Sequence, residues 1–352
     1  MLASVLTKTF RDRWKGEAIG AATLVLLFLM GMAVYRDIDL AVYTDLPEVF
    51  RSLMNIPTDA DVGALAYGAI YLSYGALTLA SLALSMGSAS IAGEEREGTM
   101  GLLLGNPKSR THILVSKGAN VILLTGLGAL VLWVGGLVVP EILNVDVTGI
   151  HVGALVLHIF VIAVFHGFLA LAISAWTGKA RLATGGTVAV MMLSFFAVGW
   201  LPLIEGLENG VRAFPWHYFS GSQPHINGVS WGHRGVLTAG IVVLASVAVI
   251  GVNRRDLREQ AAGTGLVDRL RADPRTRKIV NRLAGSARVS RIWTKTAAEH
   301  QGLLIIVSYV MFLIMGVLLG PMYTFIDETL VSLGEAFPEG LMELFGGGDL
   351  ST

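Results

Sequence analysis

The chain is 352 residues long, 53% hydrophobic and only 15% charged, with mean hydropathy +0.64, against roughly 25% charged residues in an ordinary soluble domain. A surplus of this size argues against a free soluble enzyme, because it leaves apolar surface that water rejects and a bilayer solvates. No cysteine occurs, which excludes disulfides, thiolate metal sites and thiol nucleophiles, and the net charge of zero conceals how the charges are distributed.

Residues 1–17 place Leu2, Leu6, Phe10 and Trp14 four apart, with Lys8, Arg11, Arg13 and Lys15 between or beside them. This spacing fits an amphipathic helix lying in the membrane interface, the alternative being a solvated basic leader. No short apolar core followed by a small-residue cleavage site is present, so the first apolar run is expected to remain as an anchor.

A spanning helix needs about 20 predominantly apolar residues. Seven stretches qualify: Ala18–Val34, Ala64–Ile91, Ala119–Val139, Val152–Trp176, Leu182–Leu203, Val236–Val252 and Leu303–Tyr323. None shows the period-two alternation of a membrane barrel strand, so the expected fold class is an all-α polytopic helical bundle. With the N-terminus inside, 22 of the 26 Lys and Arg residues fall in inner connections and only Arg36, Arg51, Arg212 and Arg234 in outer ones, the asymmetry that retains basic loops in the cytoplasm. Acidic residues segregate the other way, 10 inside and 16 outside. The tail after the seventh span is then extracytoplasmic.

Between the second and third spans, on the inner side, runs IAGEEREGTMGLLLGNPKSRTHILVSKG. The charges Glu94, Glu95, Arg96 and Glu97 end at Gly98, a residue suited to a left-handed helix terminus. Thr99 is placed to cap a short apolar helix, Met100–Leu104, which Asn106 and Pro107 stop, and Ser109 to cap the next helix. A short helix of this kind at the membrane surface can dock on a partner and pass motion into the attached spans. Clustered carboxylates also serve general acid/base or metal chemistry, but that requires burial or fixed neighbours to split their pKa values; on an exposed loop beside Arg96 a solvated charge run is the plainer expectation.

In the fourth span His158 and His166 lie eight apart, near one helical face. Ionisable groups within spans usually face a bundle interior or an aqueous cavity, so both are candidate path-lining residues; neutral imidazoles hydrogen-bonding between helices are the alternative. The outer loop from Arg212 to Arg234 carries Phe214, Trp216, Tyr218, Phe219 and Trp231, expected as interfacial anchors, with an exit gate as the alternative. The Gly16/Gly20 and Gly316/Gly320 spacings fit close helix packing but arise readily among 42 glycines.

Residues 253–288 are rich in Arg and Ala and broken by Gly263, Gly265, Pro274 and Gly285, as a cytoplasmic linker with short surface helices or as a plain tether. Residues 289–352 repeat the opening of the chain: Thr-Lys-Thr at Thr7–Thr9 and Thr294–Thr296, a span containing Met-Gly at Met30 and Met315, then an acidic outer segment. The expected organisation is an interfacial helix at 1–17, a six-span unit at 18–252, a linker at 253–288 and the start of a second unit at 289–352. That second copy stops after one helix, as in a fragment of a longer two-unit protein or one whose other half is supplied separately.

The order Glu95-Arg96-Glu97-Gly98-Thr99, then Leu102-Leu103-Leu104, Pro107-x-Ser109-Arg110 and Lys117 resembles the signature of ATP-binding-cassette exporter permeases of the second type. The six-span unit, the N-terminal interfacial helix and the long outer loop agree with it, and the doubled arrangement is similar to two-unit drug or antibiotic efflux permeases. Met100-Gly101 departs from the commoner Leu-Glu. The resemblance implies that Glu94, Glu95, Arg96, Glu97, Gly98, Thr99, Leu102, Leu103, Pro107 and Arg110 contact a separate cytoplasmic ABC ATPase, in two copies. It implies also a second permease half or copy, membrane lipid as surroundings, and no nucleic-acid partner.

No G-x-x-x-x-G-K-[ST] occurs, so the chain lacks a P-loop, and no H-E-x-x-H occurs. ATP and Mg belong on the partner, with no catalytic residue, metal or cofactor expected on this chain. The expectation is a multi-pass permease of the plasma or inner membrane that exports by alternating access. A non-transporting assembly subunit is the rival; a secondary transporter is less favoured, since no span holds a paired acid and base or an unwound Gly-Pro break.

Overall fold

The computed structural model describes residues 5–37, 62–96, 98–101, 105, 109–203 and 206–255, with isolated positions 274 and 277. Contacts divide the chain into Met1–Gln260 and Ala261–Thr352, and the helices described belong to the first unit. The expected seventh span, the second-unit segment and nearly all of the linker lie outside the described residues.

Among the described residues six helices are long and apolar enough to cross a membrane: α1 (Val5–Asp37), α2 (Val62–Ala89), α4 (Arg110–Leu143), α5 (Val152–Thr177), α6 (Ala180–Trp200) and α9 (Trp231–Arg254). Short helices α3 (Ala92–Arg96), α7 (His217–Ser220) and α8 (Pro224–Asn227) join them, with 3₁₀ turns at Leu201–Leu203 and Glu208–Ala213. No strand occurs among the described residues, so the unit is an all-α membrane bundle.

The helices outrun the apolar windows of the sequence. α4 starts at Arg110 instead of Ala119, and α9 at Trp231 instead of Val236. At ~1.5 Å per residue α1 and α4 are each about 50 Å long, against about 30 Å of hydrocarbon. Their ends therefore project into the polar interface, where helical hydrogen bonding continues and charged side chains stay solvated. The basic leader and the first span form one helix, α1, from Val5 onward.

α5 is the hub, packed against α2, α4, α6 and α9, while α1 packs on α4 and on the start of α2. Accordingly 72% of the apolar window of α5 is buried, against 22% for α9, whose Val242 and Val243 face outward. Small residues allow the closest approach. A Cβ on Gly87 of α2 would stand 2.1 Å from the carbonyl oxygen of Gly167 on α5, so the two backbones touch there. The Gly16/Gly20 pair is less used: Gly20 meets Leu82, and Gly16 meets nothing within 4 Å.

Two local irregularities depart from the sequence expectation. α2 is a π-helix over Ala66–Gly75, and α4 continues through Pro140 to Leu143 instead of ending at Val139. Proline has no amide proton, so the carbonyl one turn earlier, that of Gly136, loses its helical partner. The buried Tyr67 hydroxyl donates to that oxygen, and the Tyr71 hydroxyl to the Leu132 carbonyl at 3.1 Å. Apolar surroundings make such satisfaction obligatory, and the wider π turn presents both tyrosines to α4, against Phe28 of α1.

Candidate functional site

The charged segment after α2 is built into the bundle. Ser174 of α5 organises its start: the hydroxyl donates to the Ser88 carbonyl at the end of α2 and accepts from the Ala92 amide at the head of α3, both at 3.0 Å. α3 then closes at Gly98, whose φ of +72° is left-handed. The Gly98 amide donates to the Glu95 carbonyl and the Thr99 amide to the Glu94 carbonyl, the paired bonds of a Schellman terminus.

This turn aims the two glutamates in different directions. Glu95 is fully buried and receives Arg255 Nη2 at 2.9 Å, while Arg255 Nε donates to the Ala175 carbonyl of α5 at 3.2 Å. Arg110, at the head of α4, donates to the Arg255 carbonyl at 2.8 Å, and Asn253 donates to Thr111 at 3.0 Å. Gly178 ends α5 at φ +64° directly against the pair: a Cβ there would lie 1.9 Å from Arg255 Nη1 and 2.7 Å from Glu95 Oε2. One buried carboxylate thus ties α3 to the ends of α5 and α9, and through Arg110 to α4.

Glu94 faces the other side, toward α1. Lys117 of α4 donates to it at 2.6 Å, and the Thr99 hydroxyl donates to it as well. Burial raises the Glu94 pKa, but the hydrogen bonds from Lys117 and Thr99 and the positive charges of Lys117 and Lys8 outweigh it, leaving the carboxyl below its ordinary value. Thr99 therefore reaches back to Glu94 with the hydroxyl expected to cap the following turn. Ser109 caps α4 as expected, accepting from the His112 amide at 3.1 Å. Asn120 donates to the Leu6 carbonyl at 3.0 Å, which fastens α1 to the same cluster.

Of the residues singled out from the sequence, Glu94, Glu95, Gly98, Thr99 and Arg110 fall in this cluster. The Arg96 side chain and Glu97, Leu102, Leu103 and Pro107 lie outside the described residues. Arg255, Gly178 and Ser174 were not anticipated, because their partners are 160, 83 and 86 positions away or more simply in another helix. The signal available was Gly178 itself, a glycine directly after an apolar run.

At the opposite end the loop after α6 folds into the bundle. Trp216 and Phe219 are buried, stacked edge-on at 5.1 Å, and Trp216 meets Phe195 at 5.4 Å; its amide donates to Ser194 of α6 at 2.8 Å. These two aromatics are a plug and not the interfacial anchors expected, because α7 turns them toward α5, whereas Trp231 is exposed. His158 holds the plug: its Nε2 accepts from the Ser230 amide at 3.3 Å, so the tautomer with the proton on Nδ1 donates to the Phe219 carbonyl at 3.3 Å. His166 Nδ1 bonds its own helix at the Ile162 carbonyl, 2.9 Å, and its ring lies 6.2 Å from that of Trp216. His225 in α8 is buried with neither ring nitrogen hydrogen-bonded, and burial pushes its pKa down to about 4. No group of metal-ligating side chains occurs among the described residues.

The sequence profile of the ABC-2 family transporter proteins matches residues 3–228, which include the whole Glu94–Arg110 segment. The chain belongs to this family. Membership makes this ABC-2 chain the membrane-spanning permease component of an ABC transporter and implies an ABC ATPase subunit as its partner. No curated protein and no solved structure matches it.

Proposed function

We propose that this ABC-2 permease works in an exporter in which a separate cytoplasmic ATPase, in two copies, grips the segment from Glu94 to Arg110 and drives alternating access. The observation that carries the reading is the Glu95–Arg255 ion pair, 2.9 Å long, whose carboxylate is fully buried and whose guanidinium is half-buried at the junction of four helices. A push on α3 cannot be absorbed locally, because the same carboxylate anchors α5 and α9. If the partner's nucleotide states bind α3 and the following turn unequally, that difference in binding free energy shifts the spans between inward and outward arrangements.

The basic end supplies the sidedness. With 22 of 26 Lys and Arg residues assigned to it, this end faces the cytoplasm, where ATP and Mg are held on the partner. The second permease half is another copy or a homologous unit, of which residues 289–352 carry the opening motif, as in two-unit efflux permeases. In this reading the buried Trp216 and Phe219 stand at the outer end of the translocation path, and His158 and His166, packed beside them, are its candidate lining residues.

The test uses Glu95→Gln and Gly98→Ala in the complex with its ATPase. Transport should fall tenfold or more while membrane insertion and co-purification of the ATPase persist. Normal transport by both variants would overturn the coupling assignment. A cysteine placed at position 96 of this cysteine-free chain should react with an impermeant maleimide only after permeabilisation; labelling from outside would reverse the orientation.

A further inference from the structure

At the end opposite the Glu94–Arg110 segment, three histidines bear on one junction, where α7 packs on the head of α9. His217 of α7 and His233 in the first turn of α9 have ring centroids 5.3 Å apart, and the Tyr218 ring lies 5.2 and 5.5 Å from them. His233 Nδ1 is buried with no hydrogen-bond partner. His158 of α5 joins the same two elements: its Nδ1–H donates to the Phe219 carbonyl of α7, and its Nε2 accepts from the amide of Ser230, the residue before α9, each at 3.3 Å.

Both contacts need neutral rings. A protonated His158 has two N–H donors and no acceptor, so its Nε2–H would face the Ser230 amide, donor against donor. Protonated His217 and His233 would repel each other at their present separation. The fixed charges bearing on these rings are positive as well: Arg212 of the preceding 3₁₀ turn acts on His217, and Arg234 of α9 acts on His158. Glu208 of that turn is exposed and accepts from the Gly206 amide instead. His166 of α5, 6.2 Å from Trp216, and His225 of α8 add imidazoles but no negative charge, and the Tyr218 hydroxyl donates to the Arg212 carbonyl.

The geometry points to an acid-labile latch: proton uptake by His158, His217 and His233 frees α7 from the head of α9 and withdraws Trp216 and Phe219 from the bundle. Trp216 directly precedes His217 and Phe219 lies in the same turn, so a displacement of α7 carries both aromatics with it. Burial, His233 and Arg212 hold the His217 pKa below its ordinary value. Its contribution to the closed junction is therefore complete above that value, about 6.5, and is lost as pH falls below it toward the depressed folded one. The latch belongs to this chain alone and stands apart from the coupling reading, since neither ATPase nor nucleotide takes part.

The experiment is carried out on the purified full chain in detergent. Ser220→Cys, at a position 3% exposed in α7, places a single reporter thiol in a chain that has no cysteine. The probe is 4,4′-dithiodipyridine, which stays reactive in acid, and Thr125→Cys, at a fully buried position in α4, reports general loosening. Rates are taken relative to the unfolded chain at each pH. From about pH 7.5 to about pH 5 the rate at Ser220→Cys should rise at least tenfold and that at Thr125→Cys less than twofold. With His158, His217 and His233 all replaced by Gln, whose amide donates and accepts without titrating, the rise should vanish. No rise at Ser220→Cys, an equal rise at both thiols, or an undiminished rise in the glutamine variant overturns the proposal. If the triple variant is already open at neutral pH, His217→Gln alone decides, because its ring is half-buried and makes no bond to the plug's backbone. The midpoint of opening should then fall by about half a pH unit or more, and an unchanged midpoint overturns the latch.

Discussion

The Tyr67 hydroxyl donates to the carbonyl of Gly136, the oxygen that Pro140 deprives of its helical amide. Proline within a spanning helix is tolerable when another group supplies the missing donor, and here the donor comes from the π-helical stretch of α2. Tyr67→Phe should therefore destabilise the protein by about 1–3 kcal/mol, the cost of an unsatisfied buried carbonyl. In a Pro140→Ala background the restored amide serves Gly136, and the same substitution should cost less than half as much. Melting curves of the four proteins in detergent measure this; equal losses in both backgrounds would show that the hydroxyl has another purpose.

Gly98 and Gly178 are both left-handed, at φ +72° and +64°, but only Gly178 has neighbours within 4 Å of its would-be Cβ. Gly98→Ala pays only the backbone penalty, about 1–2 kcal/mol. Gly178→Ala pays that and displaces Arg255 from Glu95, so it should lower the melting point further and leave Glu95→Gln with little additional effect. Additive losses in the double variant would mean that the glycine and the ion pair are independent.

Glu94 titrates in a way that dates the Lys117 bond. Its folded pKa is depressed below the ordinary value of about 4.3, so its contribution to stability is present above that value and is lost as pH falls through the lower folded one. Stability should thus be insensitive to this group from pH 6 to 8 and decline below about pH 4. Glu94→Gln should flatten the acid limb of a melting-point profile without altering the neutral plateau's slope; an unchanged acid limb would remove Glu94 from the account.

Trp216, just before α7, and Trp231, at the head of α9, do not share one environment, 1% exposed against 73%. Trp216→Ala removes the plug's largest side chain and should cost about 3 kcal/mol or more, whereas Trp231→Ala, losing its contact with the Arg234 guanidinium at 4.7 Å, should cost less than about 1 kcal/mol. Denaturant melts compare the two. Similar losses would place the plug outside the folded core.

The sequence by itself determined the class, the first six spans and the caps at Gly98 and Ser109, because hydropathy and capping act within a dozen residues. It also marked the Glu94–Arg110 segment, whose motif is contiguous. Tertiary structure alone decided which side chains meet: that Glu95 finds Arg255, that Tyr67 completes the helix Pro140 interrupts, and that Trp216 turns inward instead of toward the interface. Likewise Glu17 looked like one more charge in a basic leader until α1 proved continuous and laid it against Gly128. Each of these depends on the register of one helix against another, which is set by close packing of small residues across the bundle, and no local pattern along the chain encodes that register.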